Sequence, residues 1–195
     1  MNIARILYPV EVLGPGKRVG IWFAGCPRRC RGCSNPELWE KSPRYEIALD
    51  DLVRAVESIA AKYPVEGFTF TGGDPMWQYE DCLALAERLS PISKDILVYT
   101  GYLFEELPPL SEGIAAIIDG PYIEEENRLS PLKGSENQRL WILNEALRPR
   151  YEAYLSSDEG GIQNFHSGSG HISVGIHRPH FLKPSQKEGD NNTPK

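Results

Sequence analysis

The chain has 195 residues, enough for one domain with an appendage rather than two full domains. Hydrophobic side chains make up 41% of it, which supports a real core and excludes global disorder. The 21 basic against 27 acidic residues leave a net charge of −6, which argues against a general nucleic-acid binder.

Hydrophobic periodicity predicts a first strand over Ile3 to Tyr8. Gly14-Pro15-Gly16 forces a turn, and Arg18 to Ala24 reads as a buried strand that runs straight into Gly25-Cys26. Leu49, Leu52, Val53, Val56, Ile59 and Ala60 recur at helical steps until Pro64 and Gly67. Phe68 to Thr71 is a short strand broken at Gly72-Gly73. A helix over Tyr79 to Leu89 carries Leu83, Ala86 and Leu89 on its apolar side. Cys82, inside that helix, reads as a small buried residue. Ile96 to Thr100 is the next strand, followed by a short helix near Phe104. Ile114 to Ile118 is another strand, closed by Asp119-Gly120-Pro121, and Arg139 to Leu143 is a further one.

After about Pro149 the composition changes. Ser156 to Gly170 is rich in Ser, Gly and polar residues and reads as a loop, and His171 to Ile176 as an added strand. From Lys183 the composition is that of a disordered tail. The expected organisation is a core over residues 1–148, an extension over 149–182 and a tail over 183–195. No apolar run approaches the roughly 20 residues of a membrane span. The start, Met1 to Arg5, lacks a signal peptide's apolar stretch, so the expected location is the cytoplasm, with no membrane partner.

Alternating strands and helices predict an α/β fold with a mostly parallel sheet. In such sheets, ligands collect at the carboxyl ends of strands. The Cys26 to Cys33, Gly72 to Pro75, Thr100-Gly101 and Asp119-Gly120 loops are therefore expected to face one crevice.

Three of the four cysteines, Cys26, Cys30 and Cys33, fall within eight residues in a C-x3-C-x2-C pattern. A disulfide framework is not spaced in this way, and the run reads as a metal or redox site. A structural zinc site needs four ligands, so Cys82 or a distant histidine would have to complete it. A four-iron cluster held by three thiolates leaves one iron open to a small molecule. Free thiols are the bland alternative. Arg28, Arg29 and Arg31 lie between the cysteines. They can stabilise an anionic cluster, form an exposed basic loop or dock an acidic electron donor. Asp74 suits an N-cap as well as a ligand contact, and Asp119-Gly120 suits a plain turn.

The cysteine run resembles the signature of the radical S-adenosylmethionine family. Gly14-Pro15-Gly16, Gly25 to Asn35, Gly72-Gly73-Asp74-Pro75, Tyr99-Thr100-Gly101-Tyr102, Asp119-Gly120-Pro121-Tyr122 and Gly134 to Arg139 follow in the same order as in one branch of it. That branch is the proteins that activate anaerobic ribonucleotide reductases. The likeness covers roughly residues 1 to 145. It implies a partial (β/α) barrel and a [4Fe–4S] cluster on Cys26, Cys30 and Cys33, whose open iron chelates S-adenosylmethionine. It also implies cofactor contacts from Gly32, Ser34, Gly72, Gly73, Asp74, Thr100 and Asp119. One-electron cleavage would release methionine and a 5′-deoxyadenosyl radical that takes hydrogen from a glycine of a partner glycyl-radical enzyme, anaerobic ribonucleotide reductase. A flavodoxin- or ferredoxin-type protein would donate the electron. Another protein or peptide target, and a non-catalytic iron–sulfur carrier or sensor, are the alternatives. Gly72 to Pro75 argues against the carrier, which needs no cofactor cradle.

All four histidines, His166, His171, His177 and His180, lie beyond the last matching motif. Their spacing fits no tight metal pattern, and a surface for a particular partner is the preferred reading.

Overall fold

Val19, Ile21 and Phe23 alternate with Arg18, Gly20 and Trp22, so one strand presents two different faces. In the computed structural model, which describes residues 1–157, 161–167 and 170–179, every residue of this strand is buried. Six strands form one sheet in chain order: β1 (Ile3–Val10), β2 (Arg18–Phe23), β3 (Gly67–Gly72), β4 (Ile96–Tyr99), β5 (Ala116–Asp119) and β6 (Arg139–Ile142). β2 to β5 are parallel, and β1 and β6 are antiparallel edges. The two edges do not pair with each other, so the sheet stays open and mostly parallel.

Two helices, α1 (Leu49–Ala60) and α2 (Tyr79–Leu89), supply the crossovers β2 to β3 and β3 to β4. They cover Val19, Ile21, Phe23, Phe68, Phe70, Ile96 and Val98 on one face of the sheet. The apolar side of α2 differs slightly from expectation. Cys82, Leu85, Ala86 and Leu89 are buried while Leu83 is only partly so. The other face carries Trp22, Leu97, Tyr99, Ala116 and Ile118.

A third helix, α3 (Arg148–Leu155), forms where the sequence shows no helical period. It has no apolar stripe, and only Tyr151 and Tyr154 are buried, against Leu97, Ala116 and Ile118. The Tyr151 hydroxyl donates to Asp95 at 2.7 Å. Asp95 also accepts from the fully buried Arg18 (Nη1 to Oδ2, 3.0 Å), whose Nε donates to Thr69 at 2.7 Å. This network closes the amino-terminal end of the parallel strands, where a Cβ on Gly67 would meet Arg18 at 2.5 Å. The boundary expected after residue 148 thus falls at the start of a helix packed into the core.

The expected loop over Ser156 to Gly170 contains a strand, β7 (Ile162–Ser167). It pairs antiparallel with β8 (Gly170–Gly175) as a separate two-stranded sheet. Its polar composition hid it, because its partly buried residue Phe165 is flanked by Asn164 and His166. His180 and the expected tail from Lys183 lie outside the described residues. Among those described, no helix is long and apolar enough to cross a membrane.

Candidate metal centre

Parallel register brings Phe23 beside Gly72 and Tyr99 beside Ile118, so the exits of β2, β3, β4 and β5 share one edge. The loop after β2 carries the cysteines. Its ends are pinned: Gly25 N donates to Leu38 O at 2.8 Å and Cys26 N to Trp39 O at 2.9 Å. Inside it, Arg29 (φ 48°) and Gly32 (φ 73°) take left-handed backbone, which winds three cysteines into eight residues. Cys26, Cys30 and Cys33 are each partly buried and line one cavity. Cys82 does not: it is fully buried between the sheet and the helices.

Burial pushes the Cys26 and Cys33 thiols up from their ordinary pKa. Hydrogen bonds work against it: the backbone N–H groups of Arg28 and Arg29 toward Cys26, and of Asn35 toward Cys33. Asn35 N lies 3.4 Å from the Cys33 sulfur. The loop therefore carries donors aimed at sulfurs that would bear charge as metal ligands. Among the described residues, no three Cys, His, Asp or Glu side chains converge closely enough for a single metal ion. A cubane takes each thiolate on a different iron, so three soft donors around one cavity, with the fourth cysteine sealed away, fit a cluster.

The Gly72-Gly73-Asp74 exit lies flush against this loop. A Cβ on Gly72 would meet Phe23 O at 2.6 Å, and one on Gly73 would meet Gly25 O at 2.5 Å. In place of side chains, Gly73 N donates to Phe23 O (2.8 Å) and Asp74 N to Gly25 O (2.9 Å). Asp74 is buried and N-caps the short turn Pro75–Gln78, accepting from Met76 N at 3.0 Å. It also accepts from the Thr100 hydroxyl (2.8 Å) and Gly101 N (2.9 Å). Burial pushes its carboxyl up despite these donors. All three of these exit residues, with Thr100, Gly101 and Ser34, line the cavity.

Two sequence candidates are placed elsewhere. Asp119 is absent from the cavity lining and accepts from Phe104 N at 2.8 Å and from the Arg139 guanidinium. Gly32 also lies off the lining, where its missing Cβ leaves room for the Glu124 carboxylate, 2.6 Å from where that carbon would sit. The three loop arginines each face a carboxylate: Arg28 faces Glu106 at 3.5 Å, Arg29 faces Glu40, and Arg31 faces Glu125 at 3.3 Å and Glu124 at 3.6 Å. They do not form a purely basic docking patch. Arg28 also stacks on Tyr102, 4.6 Å from its ring centre, and lines the cavity.

Sequence reasoning missed Trp39, which lines the cavity six residues after the last cysteine, and the strip Ser173 to His177. Neither carries a local motif, since each reaches the site only through the fold. Gln138, within the run Gly134 to Arg139, does line it, holding Gly134 N (2.8 Å) and Gly120 O (2.9 Å).

Comparison with known proteins bears on this geometry. Residues 12–141 match a family described as a 4Fe-4S single cluster domain. The anaerobic ribonucleoside-triphosphate reductase-activating protein of Enterobacteria phage T4 is 34% identical over 149 residues, covering 72% of this chain and 94% of that protein. The protein of the same name from Escherichia coli is 30% identical over 144 residues, covering 67% and 92%. The pyruvate formate-lyase-activating enzyme of Clostridium pasteurianum is 32% identical over 69 residues, covering 34% and 29%. Taken with three cysteines on one cavity at the carboxyl edge of an open sheet, these matches show that the chain belongs to the family of anaerobic ribonucleoside-triphosphate reductase-activating proteins.

Proposed function

We propose that Cys26, Cys30 and Cys33 hold the [4Fe–4S] cluster of this enzyme and that the cavity beside them takes S-adenosylmethionine. The observation that carries this reading is the donor set: three thiols line one cavity, and the fourth is shut in the core. When bound, cluster and cofactor together supply reductive cleavage to methionine and a 5′-deoxyadenosyl radical, which takes a hydrogen atom from a glycine of the partner.

The chain's own residues hold and shield that chemistry. Backbone N–H groups at Arg28, Arg29 and Asn35 steady the cysteine sulfurs. Asp74 binds the loops after β3 and β4 to each other, which fixes the cavity floor. Gly72, Gly73 and Gly101 let backbone form part of the wall where a side chain would intrude. Tyr99, Tyr122 and Trp39 give apolar surface that excludes water from a radical site.

The partner is a glycyl-radical enzyme, and within that class an anaerobic ribonucleotide reductase. A flavodoxin- or ferredoxin-type protein supplies the electron, and the setting is the cytoplasm. The test is anaerobic reconstitution with iron and sulfide, then dithionite and S-adenosylmethionine. Formation of 5′-deoxyadenosine is expected, with a glycyl radical signal by electron paramagnetic resonance when the reductase is added. A coloured protein that makes no 5′-deoxyadenosine would be an electron carrier.

A further inference from the structure

The cavity has a wall that comes from outside the matched family domain. Its lining includes Ser173, Val174, Gly175, Ile176 and His177, all C-terminal to residue 141, where the family match ends. These residues form the end of β8 and the segment after it. The hairpin β7–β8 shares no backbone ladder with the six-stranded sheet. An isolated two-stranded hairpin is at best marginally stable, so its position depends on what docks it.

Two side-chain amides latch it. Gln163 on β7 donates to Pro9 O (2.7 Å) and accepts from Glu11 N (3.0 Å), as a strand partner would at the end of β1. Asn127, itself buried, donates to His177 O (2.8 Å) and to the hydroxyl of the cavity residue Tyr122 (3.1 Å). Between the latches, Val174 is buried with Val10, Leu13 and Trp22. The Ser173 hydroxyl and His177 Nε2 lie 3.0 Å apart on the cavity side. Burial holds the His177 imidazole below its ordinary pKa, although the ring can donate to the Gly175 backbone carbonyl. The wall therefore meets the cavity with a neutral polar pair, which suits a cationic sulfonium nucleoside better than a charged imidazole would.

We infer that hairpin β7–β8 is part of the cofactor site, with Ser173 and His177 facing bound S-adenosylmethionine and Asn127 and Gln163 as positioning residues that hold the hairpin over it. This rests on the reading that the cavity takes that cofactor.

The test uses the reconstituted full chain and measures S-adenosylmethionine binding by anaerobic equilibrium dialysis, without turnover. Binding by the parent protein establishes the underlying reading, and no binding by the parent overturns that reading rather than the hairpin's role. The double variant Ser173→Ala/His177→Ala, and separately the latch variant Asn127→Ala/Gln163→Ala, are expected to bind about tenfold more weakly or worse. Unchanged affinity in both overturns the inference. In the apoprotein, alkylation of Cys26, Cys30 and Cys33 is expected to speed up several-fold in the latch variant, with Cys82 unreactive in both proteins as the control for an intact core. Equal rates at the three loop cysteines, with Cys82 still protected, would show that the hairpin does not cover them.

Discussion

The Asp74 carboxylate accepts the Thr100 hydroxyl at 2.8 Å, joining the exits of two neighbouring parallel strands directly beneath the cysteine loop. The same carboxylate caps the turn at Met76 and takes the Gly101 N–H, so one side chain sets the spacing of the cavity floor. A group with three internal donors contributes to the site first by shaping it.

Replacing Asp74 therefore has a structural cost that appears without any cofactor. Asp74→Ala removes a cap and leaves Thr100 and Gly101 donors unmet, so urea unfolding of the apoprotein is expected to show a loss of about 2–4 kcal/mol. Asp74→Asn keeps one acceptor oxygen and is expected to lose less. A loss in Asp74→Ala within error of zero would show that the carboxylate does not hold the floor.

Iron content separates the cysteines. Cys26→Ser, Cys30→Ser and Cys33→Ser are each expected to drop iron and sulfide to a small fraction of the parent after reconstitution. Cys82→Ala is expected to load fully, because Cys82 lies on the buried face of α2 and burial drives its thiol pKa far upward. Iron loss in Cys82→Ala of the same size as in the other three would place it among the ligands.

Gly32→Ala tests the winding of the cysteine loop. The backbone there is left-handed (φ 73°), which costs an ordinary residue about 1–2 kcal/mol. The new methyl would also press on Glu124. Lower iron loading is expected, and the added change Glu124→Ala should restore part of it by removing the clash but not the backbone cost. Full recovery in the double variant would mean that the backbone conformation is unimportant.

The far end of the sheet offers a control. Tyr151→Phe deletes one donor to the buried Asp95 and is expected to cost about 1–2 kcal/mol in urea unfolding. Arg18→Met leaves Asp95 without its main counter-charge and is expected to cost about 3–5 kcal/mol. Tyr151→Phe should leave S-adenosylmethionine affinity unchanged; a large change would couple the two ends of the sheet.

Acid should weaken the fold partly through Asp119. Burial pulls its carboxyl upward, but hydrogen bonds from Arg139 and Phe104 N outweigh this, and its folded pKa lies below the ordinary value. The unfolded chain then takes up the proton first. The stabilisation is complete above the ordinary carboxylate pKa of about 3.9 and is lost as the pH falls from there through the folded value. Thermal unfolding followed between pH 6 and pH 3, about the range where carboxylates titrate, should show a shallower acid limb in Asp119→Asn than in the parent.

The sequence was most legible where its signals are local. C-x3-C-x2-C, the glycine pair before Asp74 and the apolar periods of α1 and α2 depend on neighbours a few residues apart, and the chain alone located them. Strand alternation was clear enough to place the loops on one edge of a parallel sheet. What it did not disclose depends on residues far apart in the chain. α3 is anchored by two tyrosines on a sheet about fifty residues upstream, from Leu97 onward, with no apolar stripe of its own. Asp119 has the look of a ligand in a strand-end turn, yet Arg139 occupies it across an antiparallel pair. β7 is too polar to announce itself, and the place of His177 at the cavity is set by Asn127, 50 residues away. Covalent spacing determines which groups can share one loop, whereas only the packed chain decides which distant side chains satisfy them and close over them.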